Sequence, residues 1–112
     1  MKLAIPSKGK NLEAEISEIF ARAPFFLFVE IEEGEIKKVE EWENQFLNQL
    51  SGVGMVVGQF LGEKKIDIVI VKNIGPRASE VLKGLGIKIF RGEGKIRDIL
   101  QKFIEGKLKE IE

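Results

Sequence analysis

Four places in the chain combine residue types that could hold an anion. Ser51-Gly52-Val53-Gly54 is followed one turn later by Gly58, and Lys72-Asn73 runs into Ile74-Gly75-Pro76. Ser7-Lys8 follows Pro6, and Arg22 stands just before Ala23-Pro24. Glycines ahead of a helix let backbone N–H groups approach an anion, and the helix start adds partial positive charge. Gly75 suits an N-cap and Pro76 the first helical position, where a missing N–H costs nothing. The spacing Gly-x-Gly-x-x-x-Gly is one residue longer than the dinucleotide fingerprint, and no Lys-Ser/Thr pair makes it a phosphate-binding P-loop. Each stretch also has a plainer reading. The glycines could serve only a tight crossover, Asn73 could satisfy its own loop, and Lys72 and Arg22 could be solvated or ion-paired.

Composition narrows the chemistry. The 112 residues contain no Cys and no His. Disulfides, thiolate ligands and Cys nucleophiles are therefore excluded, together with the commonest neutral-pH base and metal ligand. Ser7, Ser17, Ser51 and Ser79 have no imidazole to activate them, which argues against a serine triad. The first strand carries no carboxylate, Asp67 begins its strand at the far edge and Asp98 lies inside a helix, so no acidic pair suits two metals.

Lys plus Arg equals Asp plus Glu at 18 each, which gives no overall field for nucleic acid or membrane. Residues 1–50 hold 6 basic and 10 acidic residues, leaving 12 and 8 for the remainder. The second half is thus the more hospitable to an anion, although Lys-rich surface helices explain the same bias. A Lys/Glu-rich, Cys-free composition fits a thermophile. No apolar run is long enough to span a membrane and no signal segment is visible, so the cytoplasm is the expected location.

The elements that must position these residues follow from hydrophobic period. One domain over residues 1–112 is expected. Leu3-Ala4-Ile5 reads as a short buried strand. Leu12, Ile16, Ile19 and Phe20 have helical spacing and suggest a short helix or turn over 12–20. Phe25 to Glu32 is a strand with Leu27, Val29 and Ile31 on one face and Phe26 and Phe28 on the other. Gly34 turns it into an edge strand over Ile36 to Glu41. Trp42 to Leu50 reads either as a helix or as an irregular crossover.

A helix over Met55 to Glu63, with Met55, Val56, Phe60 and Leu61 apolar, precedes the doubly buried strand Ile66 to Val71. Then come a helix over Pro76 to Lys83, a strand over Ile87 to Phe90 and a helix over Lys95 to Glu105. The last of these carries the stripe Ile96, Ile99, Leu100, Phe103, Ile104. Residues Lys107 to Glu112 are expected to fray or to dock weakly. Right-handed crossovers then give an α/β fold, a five-stranded mixed sheet with helices on both faces. Ligands in such folds sit at the carboxyl edge, between neighbouring strands.

Several segments in this order resemble the dinitrogenase iron-molybdenum cofactor biosynthesis family. They are Lys2-Leu3-Ala4-Ile5-Pro6; Ser17-Glu18-Ile19-Phe20-Ala21-Arg22-Ala23-Pro24-Phe25-Phe26; Ser51-Gly52-Val53-Gly54; Asn73-Ile74-Gly75-Pro76; and Gly86-Ile87-Lys88-Ile89-Phe90. The resemblance implies a three-layer α/β/α RNase H-like motif with strand order 3-2-1-4-5 and the second strand antiparallel. It also implies a non-enzymatic protein that binds or carries an iron-sulfur or iron-molybdenum cluster precursor. The chain departs from the family where a His often precedes Phe-Gly-Arg, here Ile19, and where His-Gly-Ala-Gly is usual, here Ser51-Gly52-Val53-Gly54. Thiolate or imidazole ligation of a cluster is thereby excluded.

The leading expectation is a small binding or carrier protein without catalysis. Its cleft is formed by Ser7, Lys8, Arg22, Ser51, Gly52, Gly54, Lys72, Asn73 and Gly75. The ligand would be a small anion, a phosphorylated metabolite or a metal-cluster precursor. The alternatives are a protein-interaction module that pairs through the Ile36–Glu41 edge, and a phosphate-ester hydrolase.

Overall fold

The computed structural model describes all 112 residues. The strands are β1 (Lys2–Ser7), β2 (Phe25–Glu32), β3 (Glu35–Glu43), β4 (Ile68–Val71), β5 (Lys88–Arg91) and β6 (Lys109–Glu110). The helices are α1 (Val53–Glu63), α2 (Pro76–Gly84) and α3 (Ile96–Ile104), and a single 3-10 turn spans Phe20–Arg22.

The sheet has six strands in the order β3-β2-β1-β4-β5-β6, not five. The first five follow the expected order. The sixth strand comes from the tail expected to fray or dock weakly, and it docks: Phe90 pairs with Glu110 and Arg91 with Lys109, while Ile111 N–H donates to the Ile89 carbonyl. β1, β4 and β5 run parallel, and β2 and β6 are antiparallel to their neighbours.

The sheet separates two cores. On one face Phe26, Ala4, Val69, Val71 and Ile89 pack with Val53, Val57 and Leu61 of α1 and with Ala78 and Leu82 of α2. On the other, Leu3, Ile5, Leu27, Val29, Ile31, Ile68 and Ile70 pack with Ile96, Ile99 and Leu100 of α3. The central strand therefore alternates within a fully buried run, as doubly covered strands do. The two-residue turn Glu33-Gly34 has positive φ at both positions, 52° and 76°, matching the twist of the β2–β3 hairpin.

Three local expectations are narrowed or corrected. Of the helix and the turn offered for 12–20, residues 12–19 form only turns, bends and bridges, and Phe20 opens the 3-10 turn. Their backbone is claimed by neighbours: Ile16 N–H donates to Gly94 O, Ser17 N–H to Pro6 O, and Ile96 and Arg97 N–H donate to Ala14 and Leu12. A nine-residue helix is marginal against such partners. Over 42–50 the irregular crossover stands rather than the helix, except that Trp42 still belongs to β3, which ends at Glu43, and its ring stacks on Phe60 with centroids 4.3 Å apart. In α1 the buried residues are Val53, Val57, Gly58 and Leu61, so Met55 lies exposed near the helix start.

Helices α1 and α2 lie side by side, pointing the same way. Gly54 meets Ala78, Gly58 meets Val81 and Gly62 meets Leu85, a register that advances along both helices together. A β-carbon on Gly58 would come 2.9 Å from Val81 Cγ1, so the glycine repeat is what permits this approach. Both helices consequently begin at the carboxyl edge of the sheet.

Candidate anion cleft between two helix starts

At that edge a cleft of about 390 Å³ opens between the two helix starts. One wall is Gly52, Val53, Gly54 and Met55; the facing wall is Gly75, Pro76, Arg77 and Ala78; the third side is Ile19, Ala21 and Arg22 from the 3-10 turn. The first intrahelical bonds are Val56 N–H to Gly52 O and Ser79 N–H to Gly75 O. The amides of Val53, Gly54 and Met55, and of Arg77 and Ala78, thus have no acceptor within their helices. Two sets of N-terminal amides and two parallel macrodipoles converge on one cavity, and no carboxylate lines it.

Gly52 is the N-cap of α1 in the left-handed region, at φ 70°, where a side chain would be strained. Gly75 caps α2 at φ −74° with open space around it, so no steric demand of its own requires glycine there.

Arg22 is tethered. Its Nη1 donates to the carbonyls of Leu47 and Gln49 at 3.1 and 2.9 Å, pinning the loop that leads into α1. The same loop is held by Asn44, whose buried amide donates to Ala21 O and Ala23 O and accepts from Phe46 N–H. The remaining guanidinium donors of Arg22 have no partner within the chain, and Arg77 is exposed and takes part in no ion pair.

The sequence-expected site residues divide into two groups, with Ser7 apart from both. Arg22, Gly52, Gly54 and Gly75 line the cleft, with Ser51 next in sequence. Lys8, Lys72 and Asn73 instead gather around Glu18. Lys72 Nζ sits 3.1 Å from its carboxylate, Lys8 Nζ 3.7 Å away, and Asn73 Nδ2 donates to its carbonyl. The hydrogen bond from Lys72, reinforced by its charge and that of Lys8, holds the Glu18 carboxyl below the usual carboxylate range. Ser7 is fully buried, its hydroxyl donating to Gly9 O at 2.7 Å.

The Glu18 group positions the cleft without lining it, since Phe20 N–H also donates to Asn73 O and fixes the turn that carries Ile19 and Arg22. Sequence reasoning missed Arg77. Its signal was available, as the second helical residue after Gly75-Pro76.

A metal ion finds no ready ligand set. No group of three His, Cys, Asp or Glu converges anywhere in the chain, and the Met55 thioether is the one sulfur at the cleft. The cleft offers hydrogen-bond donors and positive charge, which suits an anion that arrives with its own metal ligands complete, not a bare cation. A second depression, of about 160 Å³ at the opposite sheet edge, is bordered by the pairs Lys2–Glu30 and Lys38–Glu40 and by Lys64, so most of its positive charge is already paired with carboxylates. No helix is long and apolar enough to cross a membrane.

The family described as dinitrogenase iron-molybdenum cofactor matches residues 1–106. Protein MJ0580 of Methanocaldococcus jannaschii is 38% identical over 113 residues, spanning 100% of this chain and 92% of that protein. The Thermotoga protein TM1290, solved by NMR, is 38% identical with a TM-score of 0.81, covering 97% of this chain and 91% of that one. The apo form of the orange protein from Desulfovibrio gigas superposes with a TM-score of 0.90 over 98% of this chain and 92% of its own, at 22% identity, a likeness of fold. Ile19 lines the cleft, and Ser51 immediately precedes its Gly52 wall. By the extent of the match and the order of its segments, the chain belongs to the dinitrogenase iron-molybdenum cofactor family.

Proposed function

We propose that this protein is a non-catalytic carrier whose cargo, a small anion of the metal-cluster-precursor class, sits between the starts of α1 and α2. The observation that carries this reading is the convergence of two parallel helix N-termini, Arg22 and Arg77 on one carboxylate-free cleft. Family membership supplies the cargo class. The lack of His and Cys defines how the cargo is held: by backbone amides and guanidinium groups around a complete anion, not by new bonds to metal. General-base and nucleophilic chemistry have no imidazole or thiolate to draw on, and the cleft lining adds no carboxylate.

Two measurements test the reading. The first is a thermal-shift series with phosphate, sulfate and other small oxyanions. An anion at about 100 times its Kd stabilises the folded state by about 2.7 kcal/mol. The Arg22→Ala, Arg77→Ala double variant should lose most of that response. The second is anaerobic incubation with a preformed anionic iron-sulfur cluster, followed by desalting. A protein that emerges colourless and metal-free removes the cluster cargo, and one that also ignores every oxyanion removes the cleft as an anion site.

A further inference from the structure

The sheet ends on one side in β3, nine residues long and exposed along almost its whole length. Its outward backbone groups can be identified. Asn44 N–H donates to Pro24 O, so Asn44 faces β2. Antiparallel alternation then turns Trp42, Glu40 and Lys38 toward β2, and Val39, Glu41 and Glu43 toward solvent. The Val39 N–H and C=O therefore form an open hydrogen-bonding position at the middle of the edge.

The side chains around that position form a charge palindrome. Reading outward from Val39, Lys38 mirrors Glu40, Lys37 mirrors Glu41 and Ile36 mirrors Trp42. We propose that two copies of this protein pair through β3, antiparallel about a two-fold axis at Val39, extending the sheet across both molecules. In that register Val39 exchanges both backbone bonds with Val39 of the second copy. Each Lys38 meets the other copy's Glu40 on the face that carries α1.

Charged edge strands ordinarily discourage pairing. Here the charges penalise other registers and match in this one, because shifting the axis brings like charges face to face. Val39 and Ile36, 39% and 37% exposed, would lose solvent at the seam. The register shift between Glu30 and Ile31 makes Lys37 the extra residue of a bulge, which confines the regular ladder to the centre of the strand. The paired surface is therefore of the small, weakly associating kind. The proposal does not depend on the cleft, which lies at the carboxyl edge near α1 and α2.

Sedimentation velocity at low salt, with concentration raised to ~1 mM to reach a weak Kd, reads the equilibrium directly. The full chain should pass from monomer to dimer. Lys38→Glu alone, or Glu40→Lys alone, should weaken dimerisation by about tenfold, since each turns two attractions into repulsions. The double exchange Lys38→Glu, Glu40→Lys should restore it to within about threefold, because the palindrome is preserved. Val39→Pro removes an outward N–H that β2 does not use, so it should abolish the dimer while leaving the circular dichroism spectrum unchanged. A chain that stays monomeric at the highest concentration overturns the proposal. So does a dimer indifferent to Val39→Pro, or a double exchange that fails to restore pairing.

Discussion

Gly54 lies against Ala78 so closely that a β-carbon placed on it would come within 3.0 Å of Ala78 Cβ. The contact sits at the mouth of the cleft, where both helices begin, so the separation of the two amide sets is fixed by a missing side chain. One turn on, Gly58 repeats the relationship with Val81. Gly58→Leu should destabilise the protein by about 1–3 kcal/mol through overpacking. Gly75→Ala, in open space, should leave stability within about 0.5 kcal/mol. Chemical denaturation of the two variants separates the glycine that packing requires from the one that only caps.

Arg22 joins the cleft to the loop before α1. Arg22→Lys keeps the charge but cannot reproduce the paired bonds to Leu47 O and Gln49 O from one planar group. Hydrogen exchange over residues 45–52 should quicken in both Arg22→Lys and Arg22→Ala, whereas the anion-induced thermal shift should survive in part only in the lysine variant.

Asn44 is 4% exposed and satisfies two carbonyls and one amide at once. Asn44→Ala leaves those groups buried without partners and should cost about 2 kcal/mol or more. Asn44→Asp should cost more at neutral pH, because a carboxylate would face the carbonyl oxygens of Ala21 and Ala23. Urea melts followed by the fluorescence of Trp42, the sole tryptophan, read both effects.

Three paired surface carboxylates contribute modestly to the acid limb of stability. Glu18 is lowered by Lys72 and then Lys8, Glu13 by Arg97 and then Lys95, and Glu40 by Lys38. A carboxyl depressed in the folded state contributes stability that is present above its unfolded value, near 4.5 for these groups, and lost as pH falls through the folded value. Melting temperature should thus be flat near neutrality and decline below about pH 4.5, less steeply at high salt, where exposed pairs are screened. Glu18→Gln should make the decline shallower.

What was legible in the sequence follows from what local pattern encodes. The β2 alternation, the doubly buried Ile66–Val71 run, whose strand begins only at Ile68, the Gly75-Pro76 helix start and the α3 stripe are short-range signals that stand in the structure. The segment 12–20 misled because its spacing imitates a helix while its hydrogen-bond partners, Pro6 and Gly94, lie elsewhere in the chain. β6 was invisible because two residues carry no period. At the cleft, glycines and Arg22 could be read from position. The capture of Lys8 and Lys72 by Glu18 could not, since Lys72 and Glu18 are separated by 54 residues.

The central strand has a kinetic consequence. β1 is made first, yet one of its flanks is completed only when Leu3 meets Ile68 and Ala4 meets Val69. On the ribosome, β1, β2 and β3 can assemble as a three-stranded meander from the first 43 residues, leaving the far flank of β1 open. Closing it requires the whole α1 crossover and contacts between residues more than sixty apart in sequence, the slow kind of contact. Until β4 arrives, the nascent chain presents an apolar, unpaired strand in the middle of its future sheet. The interval between residues 43 and 71 is therefore when this small protein is most exposed to misassociation.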